Sequence, residues 1–206
     1  MATKLSIYNL AFGHLSEPVV ASLTEDPVDP NVAKANLQWQ QTLESALSRA
    51  AWLCALESPT LPLDTPPPEG WGDWRYPHRF TCPLGTLKVW NVVGFADDAW
   101  QKGVAVAPSG AATVVIKAAW PGPLQVDVVR LRPPEALTPL LADALGLLLA
   151  SRLAGPIQQN EQKADRLLKA AEQAFLLAET AEATEISGQE PMIGTGPLAA
   201  ARASAG

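Results

Sequence analysis

The sequence predicts an α+β protein: an antiparallel helical bundle with long helices, a small inserted antiparallel β module and a flexible C-terminal tail. Three observations predict it. Stretches on either side of the chain's middle carry apolar residues every three or four positions. Between them lie short β-branched runs bounded by Gly, Pro or Asp. The last stretch, SGQEPMIGTGPLAAARASAG, has no strong period and too little apolar surface to order by itself. The implied divisions are residues 1–57 and 133–186 for the discontinuous helical part, 58–132 for the loop and β module, and 187–206 for the tail.

Ser6 to Leu15 reads as a short helix, with Ile7, Leu10, Ala11 and His14 or Leu15 at helical spacing. His14 then sits near its end as a partly buried cap. Asp29 and Pro30 suit the opening of a second helix. Val32, Ala35, Trp39, Leu43, Ala46, Leu47, Ala50, Leu53 and Cys54 continue its apolar stripe with no proline before Pro59, so it is expected from about Val28 to Glu57, or ~40 Å.

Ser58 to Trp74 holds five prolines and two glycines. Its PPP run fits neither a helix interior nor a central strand, which makes it a loop. Four strands are expected after it: Gly85 to Val93, Gly103 to Ala107, Ala112 to Ala118 and Leu124 to Leu131, with a hairpin turn at Ser109 to Ala112. Pro133 and Pro134 close this region.

Glu135 to Gly155, EALTPLLADALGLLLASRLAG, is the most apolar stretch and nearly long enough to span a bilayer. As a membrane span it would carry Asp143 and Arg152 in hydrocarbon, each costing a few kcal/mol toward the centre, and no aromatic belt flanks it. It is better read as a core helix between the helix of Trp39 and that of Phe175. Pro156 is expected to break it. A last helix, from about Ile157 to Thr184, carries the stripe Ala164, Leu167, Leu168, Ala171, Ala174, Phe175, Ala178 and Ala181.

Composition narrows function. Charged residues are 17% of the chain, low for an ordinary soluble monomer, which points to surface covered by partners. A formal net charge of -6 argues against a general nucleic-acid binder. Cys54 and Cys82, the only cysteines, read as reduced, with Cys54 inside a helix. The first residues show no apolar run of signal-peptide length, so cytosolic synthesis is expected.

Chemistry-bearing motifs are sparse. His78, which follows Tyr76 and Pro77 in a loop and stands four residues before Cys82, is half a metal site with no second pair to complete it, so no metal is expected. Asp97 and Asp98 suit a solvated turn. No phosphate-binding glycine motif is present. Neither a catalytic residue nor a cofactor is implied. The seven tryptophans are unusual. Trp71, Trp74, Trp90, Trp100 and Trp120 gather around the β module, where they serve sheet packing, protein contact or, as a lesser option, a carbohydrate platform. A small-ligand or carbohydrate-binding domain is thus the alternative to a structural role. An enzyme using His78, Asp97 or Asp98 is the third reading.

The order of motifs resembles the podovirus tail tubular protein A family, the head-to-tail adaptors of short-tailed phages and phage-like particles. That family has a short helix ending N-A-L-x-x-L-G, then I-x-S-L-x-E, then a helix closing W-x-F-A. Here Asn9, Leu10, Ala11, Gly13, Val20, Ser22, Leu23, Glu25 and Trp52 to Ala55 stand at those places. WRYPHRFTCPLGTLKVWNV is similar to the family's entry into its β part through Trp74, Tyr76, Pro83, Leu87 and Val89. RPPEALTPLLADALGLLLASRLAGPI is similar to the following helix. The likeness spans about Ser6 to Ala183. Where the family carries Asp after the Pro, this chain has Leu84 and Gly85, and its β module is short.

The resemblance implies a structural virion protein without catalysis, made in the host cytoplasm. It would form a homo-oligomeric ring, usually of twelve copies, between the portal protein and the tail nozzle protein, with DNA passing through the lumen without specific binding. It implies a portal-binding tail, here Met192, Ile193, Leu198 and Arg202. Asp143 and Arg152 are the expected contacts between ring neighbours, and Trp90, Trp100 and Trp120 the expected contacts of the β module with the tail.

Overall fold

In the computed structural model, which describes residues 2–24, 29–64, 75–106 and 112–188, Thr3 caps the first helix, α1 (Lys4–Leu15). The Thr3 hydroxyl accepts from the Ser6 amide while the Ser6 hydroxyl accepts from the Thr3 amide, so two free donors of the first turn are satisfied. The helix therefore starts two residues before the expected Ser6. Its buried stripe is Ile7, Tyr8, Ala11, Phe12 and Leu15, which leaves His14 exposed rather than in the expected cap. Ser16, in the left-handed conformation at φ 62°, ends it.

Helix α2 (Pro30–Leu47) opens on an Asp29 carboxylate that accepts from the amides of Asn31 and Val32. It ends ten residues short of the expected Glu57. Periodicity continues past Leu47, but the indole N–H of buried Trp52 donates to the Ala46 carbonyl, taking up an end carbonyl from outside the helix. The chain then turns through Leu53 to Ala55, so Cys54 lies in a turn and not in a helix. Leu56 and Glu57, assigned to the helical part, belong to a sheet.

Seven strands follow: β1 (Leu56–Glu57), β2 (Thr60–Leu61), β3 (His78–Thr81), β4 (Thr86–Val92), β5 (Trp100–Val106), β6 (Ala112–Ala118) and β7 (Leu124–Arg130). All pairings are antiparallel. In one sheet β7 is central, with β4 along one edge and β1 then β2 along the other. In the second sheet β6 lies between β3 and β5. The four expected strands are present. β3 is a correction: a loop was expected around His78, but His78 pairs with Ala118 and buried Phe80 with Ile116. β2 likewise falls inside the expected proline loop, while most of the expected turn at Ser109 to Ala112 lies outside the described residues.

Helix α3 (Pro139–Gln158) runs through Pro156 instead of breaking at it. A proline two residues from the end forfeits only the bond to the Arg152 carbonyl, a small loss there. The turn that stops the helix is made by Gln159, left-handed at φ 52°. Asn160 then accepts from the Lys163 amide and opens α4 (Glu161–Gly188), which starts later and ends later than expected.

Two apolar cores result. One joins all four helices through residues such as Tyr8, Trp39, Trp52, Leu145, Leu149 and Phe175. The other fills the space between strands with Phe80, Val92, Ile116, Leu124, Val126 and Val128. β7 connects them: its alternate residues Leu124, Val126 and Val128 face the second core, and neighbouring Val129 turns to the first. The chain is mixed α+β, with four α-helices among the described residues.

Candidate functional site

Helix α3 is flanked by α1, α2 and α4. Eleven of its residues are buried, including Leu141, Leu145, Leu149 and Leu153, and they lie all around its axis. It is the one helix among the described residues long and apolar enough to cross a membrane, and 61% of that apolar window is buried inside the protein.

Asp143 and Arg152 are nine residues apart, so at about 100° per residue they project from opposite sides of α3. Each opens onto its own groove. Asp143 is exposed and stands with Glu135 at the rim of a groove of about 530 Å³, walled by Ile7, Leu10, Leu137 and Ala142. Among the described residues no Lys or Arg lines this groove.

Arg152 stands in a groove of about 460 Å³ between α2 and α4, above Leu148, Ala171 and Phe175. Its guanidinium donates to the Thr42 hydroxyl at 3.1 Å. Among the described residues no carboxylate forms a salt bridge with it. Burial lowers its pKa, as expected of a cation taken from water without a counter-ion. Arg49, on the same rim, is already engaged: it pairs with Glu179 at 3.1 Å and lies 5.0 Å over the Phe175 ring.

The three tryptophans divide. Trp90 is 45% exposed on β4, with the Lys88 ammonium 4.5 Å over its ring. Trp120 is 50% exposed and packs against Phe95 at 6.3 Å. With Tyr76, Asp98 and Arg75 these two line an open recess of about 560 Å³. Trp100 instead packs against the sheet core, and its buried indole N–H has no hydrogen-bond partner among the described residues. Asp97 and Asp98 occupy an exposed turn, as expected. Met192, Ile193, Leu198 and Arg202 lie outside the described residues, as do Trp71 and Trp74.

Both cysteines are free. Among the described residues no group of three or more His, Cys, Asp or Glu is placed to hold a metal ion. Cys82 is buried, which pushes its thiol from the ordinary 9.0 up to about 11. At pH 8 a chromogenic disulfide reagent should therefore leave Cys82 unmodified in the native protein and react with it once urea is added. Reaction of both thiols within seconds without urea would contradict the burial. The raised value also means that the unfolded thiol ionises first, so Cys82's contribution to stability is full below pH 9 and is lost as pH rises toward about 11.

One residue that sequence reasoning passed over is Glu182, only 6% exposed. Its carboxylate accepts from the Leu53 amide at 2.7 Å and the Thr138 hydroxyl at 3.2 Å. It thereby ties α4 to the turn after α2 and to the start of α3. The signal was available: Glu182 continues the apolar stripe Ala171, Phe175, Ala178 at helical spacing, where an acid must be buried with partners. Comparison with known proteins gave no match, either to a family model or to a curated sequence.

Proposed function

We propose that this chain is a structural virion protein: a head-to-tail adaptor whose copies form a ring, twelve in number, between the portal protein and the tail nozzle. DNA passes through the lumen without specific binding. The protein is made in the host cytoplasm, acts in the neck of a phage or phage-like particle, and performs no catalysis. Its helices make up an antiparallel bundle that supplies the ring contacts, with Asp143 and Arg152 facing neighbouring copies. The β module meets the tail through Trp90, Trp100 and Trp120. Met192, Ile193, Leu198 and Arg202 engage the portal.

The observation that carries this reading is the pair of grooves on either side of α3, one holding a partly buried cation with no salt-bridge partner among the described residues and the other bordered by Asp143 and Glu135. A chain whose most apolar helix opens onto two unlike surfaces is suited to bind unlike neighbours. The packing of the motif-bearing N-terminal segment adds support. Asn9 holds both the amide and the carbonyl of Val20, at 2.8 and 2.9 Å, joining residues of two motifs that follow one another in the sequence.

Deleting residues 188–206 should abolish binding to purified portal rings of the same particle while leaving thermal unfolding of the remaining chain unchanged. Binding at full strength after the deletion would refute the portal-binding tail. A full-length chain that fails to bind portal would count against the adaptor reading itself.

The recess formed by Trp120, Phe95 and Tyr76 favours a second reading, a small-ligand or carbohydrate-binding domain. Quenching of Trp120 fluorescence by oligosaccharides, absent in Trp120→Ala, would support it.

A further inference from the structure

We infer that Arg152 of one copy pairs with Asp143 of the next, the two grooves forming the two halves of one head-to-tail contact. This rests on the ring reading and adds which surfaces meet. Within a single chain Arg152 has no salt-bridge partner among the described residues. Its guanidinium is partly withdrawn from water and, among the described residues, is hydrogen-bonded to the Thr42 hydroxyl alone. An opposite charge brought by an occupant can pair with a group so placed.

Asp165 and Glu172 also line that groove, but both are exposed on α4 and neither forms a salt bridge with Arg152. Another pair of carboxylates stands on the other side of α3, where Asp143 and Glu135 border a groove with no Lys or Arg among its described lining residues. Because Asp143 and Arg152 point in opposite directions, no copy can satisfy both with itself. A second copy can, and it leaves its own Arg152 groove open for a third. Contacts of that kind are heterologous and propagate.

A mixing experiment tests the pairing. Wild-type chain, Asp143→Arg and Arg152→Glu are each followed by sedimentation velocity up to millimolar concentration, with circular dichroism confirming the fold. The wild type should associate. Each single variant should lose at least about tenfold in association, because its copies present like charges to one another. An equimolar mixture of the two should regain it, since alternating copies restore opposite charges at every contact. Association of the single variants at wild-type strength, or no recovery on mixing, overturns the pairing. So does a wild type that stays monomeric throughout. Portal binding is scored separately on the same proteins, so the adaptor reading can survive the loss of this contact, or fail while it stands. Should Arg152→Glu not fold, Asp143→Asn and Arg152→Gln decide. Combined, they should weaken association no more than either alone, and additive losses overturn the pairing.

Discussion

Replacing Trp52 with alanine should cost about 3–5 kcal/mol of folding stability, the range for truncating a large buried aromatic. Trp52 is 1% exposed and stands where three elements meet. Its ring lies 6.2 Å from that of Phe175 on α4, and its indole N–H closes the end of α2 through the Ala46 carbonyl. The amides of Ala55 and Leu56 bond to its own carbonyl as the chain enters β1. Alanine would leave a cavity beneath α4 and remove the shorter of the two hydrogen bonds to the Ala46 carbonyl, which keeps only that from the Arg49 amide at 3.3 Å. Trp52→Phe separates the two effects. It keeps most of the ring packing and loses the hydrogen bond, so a smaller loss of about 1–2 kcal/mol is expected. Urea unfolding with unchanged slope measures both. A Trp52→Ala midpoint within 1 kcal/mol of wild type would mean that the turn is not anchored through this ring.

The second large effect is at Gly146, on the face of α3 against α1. A Cβ at this position would lie 2.5 Å from Leu10 Cδ2 and 3.0 Å from Leu10 Cγ. Helix propensity alone would favour alanine over glycine by about 1 kcal/mol. The clash works against that gain, and Leu10 must change rotamer or α1 must move away. Gly146→Val adds a branched side chain, so overpacking of about 3 kcal/mol is expected, near the upper end for small-to-large changes. Gly146→Ala should fall close to neutral. Leu10→Ala in the Gly146→Val background should recover part of the loss, because it removes the atoms in conflict. Additivity of the two substitutions would indicate that helices α1 and α3 do not meet at this point.

Much of the fold was readable because it follows from local chemistry. Asp29 followed by Pro30 marked the start of α2, and the β-branched runs marked β4 to β7. What could not be read were outcomes of tertiary contact. The stripe that continues to Cys54 is truly apolar, yet Trp52 and the pairing of Leu56 with Val129 draw the chain out of the helix. β3 was hidden because its neighbours Tyr76 and Pro77 suggest a loop, and only β6 alongside makes it a strand. Pro156 was overrated as a breaker because its distance from the helix end depended on where Gln159 turned. Of the candidate site, Asp143 and Arg152 stood out as charges in an apolar stretch. That one would be exposed while the other sat half-buried against the Thr42 hydroxyl depended on α1, α2 and α4.

The spacing of those two charges also constrains the geometry of any closed assembly built through them. Nine residues of helix separate them by about 14 Å along α3. Copies around a closed ring differ by rotation alone, so two groups that touch across a boundary must sit at nearly the same height. A helix standing parallel to the ring's axis would place Asp143 and Arg152 on different levels, and successive copies would climb into an open spiral. Closure therefore requires α3 to lie steeply inclined to the axis, more like a spoke or a slanted stave than an upright pillar.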